Sequence, residues 1–194
     1  MVGFCGSRSW PAGKDHLVSA VVRSIVLQSS RAVAVGCYLG VDAAAIAAAR
    51  SVNADLSIYA AFGPGGVGTC AVSAVDAVSS AAGSGTKVHW WAGGQVQVPI
   101  RGRLAQRSLE MVRAVAESGP GCGLIAFLAN PESRGTWLAI QEAIRLDVTV
   151  VVFPLFSVAD LSLPASGTWA VAGAGDPWGQ AFRWQGEAAQ ARLL

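Results

Sequence analysis

The sequence predicts an α/β protein built on a doubly wound, mostly parallel sheet with helices on both faces, and three observations carry that expectation. Short apolar runs alternate along the chain with segments of helical period. Most of these runs are near-continuously apolar instead of alternating, as strands covered on both faces must be. The loops after them are rich in Gly, Ser and Arg and lead straight into helix starts, the place where doubly wound sheets hold ligands.

The first strand is "MVGFC", residues 1 to 5. Directly after it, in "GSRSW", Gly6 and Ser7 can expose backbone N–H groups and a hydroxyl to an anion, while Arg8 supplies a planar fork for phosphate. The alternative is a strand-to-helix turn with an exposed arginine. Trp10 either stacks on a base or covers the sheet edge. Residues 14 to 28 read as a helix and "AVAVG" (32 to 36) as the second strand. In the next loop, "GCYLGVD", Gly36 and Gly40 bracket the turn and Asp42 opens an Ala-rich helix over 41 to 51. Asp42 there satisfies orphan N–H groups, or it contacts a ribose hydroxyl.

The third strand is "LSIYAAF" (56 to 62), and the loop "FGPGGVGT" (62 to 69) reads by its letters as a phosphate cradle ahead of a helix over 69 to 82. Its Pro64, Gly68 and Thr69 spacing recurs in "NPESRGT" as Pro131, Gly135 and Thr136. "KVHWW" (87 to 91) reads as the fourth strand, which would put Trp90 and Trp91 on opposite faces. Helix 101 to 117 follows, with Arg103, Arg107 and Glu110 along one face beside an apolar stripe of Leu104, Met111, Val112 and Val115. Two arginines one turn apart grip a phosphate or orient a carboxylate; a solvated face with an Arg–Glu pair is the alternative. "GLIAFLA" (123 to 129) is the fifth strand. After it, Asn130, Ser133, Gly135 and Thr136 can present donors to a phosphate at the start of helix 135 to 146, with Arg134 adding charge. The plainer reading is a proline-led turn capped by Ser133. "VTVVVFP" (148 to 154) is the sixth strand. Beyond Pro154 the pattern weakens, "TWAVA" (168 to 172) adds an edge strand, and the tail from Gly175 reads as a surface flap ending in a frayed helix.

Composition bounds the function. At 194 residues the chain suits one core, residues 1–155, with a C-terminal extension over 156–194 packing on it. The apolar class is 53%, but the excess is mostly alanine and Asp42 interrupts the longest apolar stretch, so no membrane span is expected. The N-terminus lacks the positive region of a secretory signal, so the protein is expected to be cytoplasmic. A net charge of +2 gives no general drive toward nucleic acid, and any basic footprint must be local. Cys5, Cys37, Cys70 and Cys122 are widely spaced and read as buried thiols, and with only His16 and His89 no metal site is expected.

Taken together, "VGFCGSRSW", "VGCYLGVDAAAIAAA", "RGRLAQRSLEMV" and "GLIAFLANPESRGTWLAIQEAI" resemble the SLOG superfamily of Rossmann-like proteins. That group includes the DprA/Smf DNA-processing proteins, the LOG cytokinin-nucleotide phosphoribohydrolases and small YspA-like proteins, whose pattern is the nearest of the three. The resemblance covers roughly residues 1 to 154, with the motifs in consistent order. It implies a nucleotide or nucleotide-derived phosphorylated ligand at the carboxyl ends of the strands, bound as a sensor or carrier would bind it, and no cofactor. It is also compatible with a homo-oligomer.

In the LOG enzymes a Pro-Gly-Gly-x-Gly-Thr-x-x-Glu signature binds phosphate and supplies a catalytic acid, and an Arg-Lys-x-x-Met helix completes the site. Here Arg107, Met111, Pro131, Gly135 and Thr136 match, whereas Ser108, Glu132, Ser133 and Ala139 depart from the pattern. Since Ala139 replaces the expected acid, a phosphoribohydrolase would need another carboxylate, and Glu142, one turn on, is the candidate beside Arg107; Glu110 and Glu132 have no counterpart in the family. The resemblance to DprA implies single-stranded DNA as a further ligand, with Arg101, Arg103, Arg107 and Arg113 as charge and Trp90 and Trp91 as stacking surfaces.

Overall fold

The computed structural model describes residues 1–68 and 71–187. In chain order, its strands are β1 (Val2–Gly6), β2 (Val33–Val35), β3 (Leu56–Tyr59), β4 (Lys87–His89), β5 (Gly123–Leu128), β6 (Thr149–Pro154), β7 (Gly167–Val171) and β8 (Phe182–Gly186). Between the first six run α1 (Asp15–Ser29), α2 (Val41–Ser51), α3 (Val72–Gly83), α4 (Ile100–Glu117) and α5 (Arg134–Arg145). The sheet order is β4-β3-β2-β1-β5-β6-β8-β7. Strands β1 to β6 pair in parallel, while β8 pairs antiparallel with both β6 and β7.

The apolar runs become central strands because both of their faces are covered. On one face Val18, Val21 and Val22 of α1, Ala45 and Ala49 of α2 and Val78 of α3 join Phe4, Phe127 and Phe153 in one core. On the other, Met111, Val112 and Val115 of α4 and Ile140 and Ala143 of α5 close over Leu124, Ala126 and Leu128. Alanines on α2 keep its buried side short, which lets the helix lie close to the sheet. Winding reverses between β1 and β5: β2 lies on one side of the first strand and β5 on the other. That switch point holds the carboxyl ends of β1 and β5 apart and opens a crevice above them.

Several boundaries differ from the sequence expectation. Strand β3 ends at Tyr59 and β4 at His89, although apolar residues continue to Phe62 and Trp91. Ala60, Ala61 and Phe62 are buried all the same, so apolarity there reports burial and not strand. Trp90 and Trp91 therefore lie in a turn, Trp91 with a left-handed φ of 60°, and do not alternate across a strand. Helix α3 begins at Val72; Thr69 and Cys70, assigned to its start by the sequence, fall outside the described residues, as does the expected frayed helix from residue 188 on.

The segment after Pro154 extends the sheet. The edge strand expected at 168 to 172 is β7, and β8, unforeseen in the tail, lies between it and β6. Trp169 and Trp184 face each other across the hairpin with ring centres 5.1 Å apart, and Trp169 meets Trp137 of α5 at 6.4 Å. These edge-on aromatic contacts fasten the hairpin to the helix layer. Among the described residues no helix is long and apolar enough to cross a membrane.

Candidate functional site

The crevice at the switch point is a cleft of about 640 Å³. Its walls come from the loop after β1 (Gly6, Ser7, Arg8), the loop after β5 with the first turn of α5 (Asn130, Ser133, Arg134, Gly135, Thr136), and the first two turns of α4 (Arg101, Leu104, Arg107, Ser108); Asp42 and Cys5 form part of the floor. Residues separated by over a hundred positions in the chain meet here because β1 and β5 are neighbours.

A chain of hydrogen bonds ties the two loops together. The Ala129 N–H donates to Ser7 Oγ at 3.0 Å, Ser7 and Ser133 share a bond of 2.5 Å between their hydroxyls, and Ser133 Oγ donates to Asn130 Oδ1 at 3.3 Å. Since Ser133 gives its proton to Asn130, Ser7 is the donor in the central bond. The Asn130 carbonyl thus faces the loop and its NH₂ group is left to face outward. Ser133 does not cap α5 with its side chain; its backbone carbonyl accepts from Thr136 N at 2.9 Å and Trp137 N at 3.0 Å. With Arg134 N bonded to Glu132 O at 2.7 Å, Gly135 carries the remaining N–H of that first turn available to an anion.

Arg107 and Asp42 form a buried ion pair under the cleft, Arg107 Nη2 lying 2.8 Å from Asp42 Oδ2, with only 8% and 4% of the two side chains exposed. The same carboxylate oxygen accepts the Tyr38 N–H at 3.0 Å. Burial disfavours the guanidinium charge, but the attraction and hydrogen bond of Asp42, together with the Cys37 and Cys5 sulfurs, outweigh it and hold Arg107 above its ordinary value. Among the described residues Arg107 Nε has no hydrogen-bond partner. Gly36 makes room for this pair: a methyl group there would stand 1.3 Å from Arg107 Nη1. Gly40, at φ +70°, lies against the carbonyls of Ser7 and Arg8, an approach and a conformation that any other side chain would oppose. Gly36 and Gly40 thus support the cleft from behind without lining it.

Two expected site residues are placed elsewhere. Arg103 is buried and turned toward the "FGPGGVGT" loop, where it donates from Nη1 to Ala61 O at 2.6 Å, from Nη2 to Gly68 O at 2.5 Å and from Nε to Val98 O at 2.9 Å, with Trp91 stacked on it at 5.4 Å. That loop points carbonyls at an arginine instead of N–H groups at a phosphate, and it lies outside the cleft lining. Glu142 is bonded to Arg113 at 3.0 Å and to Arg145 at 2.8 Å, apart from Arg107 and from the cleft. Ala139 is buried. The carboxylates at the cleft are therefore Asp42, engaged by Arg107, and Glu132 at the rim.

Three arginines at the cleft are not consumed in this way. Arg8, Arg101 and Arg134 all line it, all are exposed, and none enters an ion pair among the described residues. Arg8 lies over the Tyr38 ring at 5.5 Å, which steadies a long side chain without neutralising it. Arg134 was legible as added charge on its loop and Arg101 as one of four arginines offered to single-stranded DNA; the start of α4 lies beside the β1 loop and brings Arg101 to the same cleft as Arg8 and Arg134.

No protein-family model matches the sequence, and no curated protein does. Solved structures do. DNA processing protein A (DprA) from Streptococcus pneumoniae superposes with a TM-score of 0.60 at 17% identity, over 84% of this chain and 53% of that one. DNA processing protein A from Helicobacter pylori, described for its unique single-stranded DNA binding mode, superposes with a TM-score of 0.61 at 15% identity, over 80% of this chain and 65% of that one. The chain thus spans between half and two thirds of the length of these proteins, and at such identities the likeness is one of fold.

Proposed function

We propose that the cleft binds the phosphate backbone of single-stranded nucleic acid. The observation that carries this reading is the set of three guanidinium groups, Arg8, Arg101 and Arg134, on the rim of one crevice, none in an ion pair among the described residues. A single strand presents successive anionic phosphates, and cations spread along a groove take them without regard to sequence. The Gly135 N–H and the Asn130 NH₂ group add neutral donors at one end. Arg107 contributes hydrogen-bond capacity but little net charge, because Asp42 balances it. The fold shared with a single-stranded DNA binding protein supports the same reading.

Fluorescence anisotropy with a labelled single-stranded oligonucleotide, repeated across salt concentrations, tests it. Three phosphate contacts give a slope of log K against log salt of about −2, so that affinity falls roughly 15- to 20-fold between 50 and 200 mM salt. Replacing one rim arginine, as in Arg134→Gln, lowers the slope by about 0.7. Absence of binding at 50 mM salt, or a slope unmoved by all three substitutions, would refute the reading.

A second reading, a nucleoside phosphate held as by a sensor or carrier, is favoured by the size of the cleft, which lies in the range of small-molecule sites. Calorimetry with nucleoside mono- and cyclic phosphates separates the two. For N-glycosidic hydrolysis the arrangement is poor: Glu142 is tied to Arg113 and Arg145, and Asp42 is committed to Arg107.

A further inference from the structure

Beside the cleft runs a second hollow of about 360 Å³, between α5 and the segment that follows β6. Glu132, Arg134 and Leu138 line both, so the two hollows abut along the first turn of α5. Trp137 and Leu138 form one side of the groove, Leu163 and Pro164 the other, and Gln141 and Ser162 bring an amide and a hydroxyl to its edge. Leu163 is 64% exposed, an apolar side chain left in water at the mouth of a hollow. Both sides are fixed by indole hydrogen bonds: Trp137 Nε1 donates to Pro131 O at 2.8 Å, and Trp169 Nε1 donates to Ser162 O at 3.0 Å. The groove is therefore built before any occupant arrives.

Building on the phosphate reading of the neighbouring cleft, we infer that this groove is a base subsite, taking the nucleobase of the nucleotide whose phosphate lies at Arg134. A base has flat apolar faces and a rim of donors and acceptors, which is the chemistry that Leu138, Leu163 and Pro164 with Gln141 and Ser162 present. Continuity through Arg134 supplies the linkage between base and phosphate. Among the described residues the only charges on the groove are those of the shared Glu132 and Arg134, which suits an occupant whose inserted part is neutral.

The test compares a single-stranded thymidine oligomer with an oligomer of equal length made of abasic residues, on the wild-type chain and on the Gln141→Ala/Leu163→Ser variant. Both substituted side chains are exposed, so the fold is retained. The wild type should bind the thymidine oligomer about tenfold more tightly, and the variant should lose that preference while holding the abasic oligomer unchanged. Equal binding of both oligomers by the wild type overturns the base subsite and leaves the phosphate reading standing. A preference that survives in the variant also overturns it, placing the base elsewhere. Binding of neither oligomer overturns both readings.

Discussion

Gly36→Ala should be among the most damaging single-methyl additions in this fold, and the reason is electrostatic as much as steric. The new methyl would stand 1.3 Å from Arg107 Nη1, 2.2 Å from its Cζ and 2.4 Å from Asp42 Oδ2. No small shift of one atom relieves three such contacts, so the guanidinium must leave its place and abandon a carboxylate that is only 4% exposed. Breaking a buried pair in this way costs about 3–5 kcal/mol, a large share of the roughly 5–15 kcal/mol that keeps a domain folded. In a chain of this size that corresponds to a fall in Tm of about 6–20 °C. Urea unfolding followed by tryptophan fluorescence measures it. In the Arg107→Ala background the two contacts with the guanidinium are gone and only the one with Asp42 Oδ2 remains, so the double variant should fall short of the summed single costs by about 2 kcal/mol or more. Gly135→Ala is the control: nothing lies within 4 Å of its added methyl, and in the first turn of α5 it should be neutral or stabilising by up to about 1 kcal/mol. Strict additivity, or a Gly36→Ala cost below about 1 kcal/mol, would refute the account of the pair as the fixed floor of the cleft.

Two other predictions concern titrating groups. A hydrogen bond from Arg145, with another from Arg113, holds the Glu142 carboxyl down to about 2 from its ordinary 4.5. Its folded value lies below its unfolded one, so its contribution is present above about 4.5 and is lost as the pH falls toward 2. Because Arg113 and Arg145 are 51% and 63% exposed, Glu142→Gln should cost no more than about 1 kcal/mol at pH 7, and the gap in urea midpoint from wild type should close near pH 2. Burial pushes the Cys5 thiol up to about 12 and raises Cys37 as well, so in the native protein at pH 8 iodoacetamide should label the half-buried Cys122 well before either, as read by peptide mass spectrometry. Equal labelling rates would contradict the burial of Cys5 at the cleft floor.

The parallel half of the sheet was legible because burial on both faces leaves an unmistakable mark: continuous apolar runs separated by helical period. The strand ends were less so. Ala60 to Phe62 and Trp90 to Trp91 extend the apolar letters past the ends of β3 and β4, since a chain can be buried beneath a loop as well as inside a sheet. Strand β8 carried a signal that could have found it, the alternation of Phe182 and Trp184 with Arg183 and Gln185, but its strand is half covered and reads as tail beside the continuous runs. At the site, Ser7, Arg8, Asn130, Ser133, Gly135 and Thr136 were brought together as loop order implied. What sequence spacing could not decide was where each guanidinium ends. Arg103 and Arg107 are one turn apart on α4, yet one reaches the carbonyls of the loop after β3 and the other reaches Asp42.

The hairpin of β7 and β8 is threaded so that the later strand lies inside and the earlier one outside. Among the described residues strand β7 has no partner in the sheet but β8, so it is joined to the parallel half through β8. A proteolytic cut between residues 172 and 181 would free two strands at once, and with Trp169 would go the indole that holds Ser162. The outer wall of the base groove, Ser162 to Pro164, is thus contingent on a strand about twenty residues further along the chain.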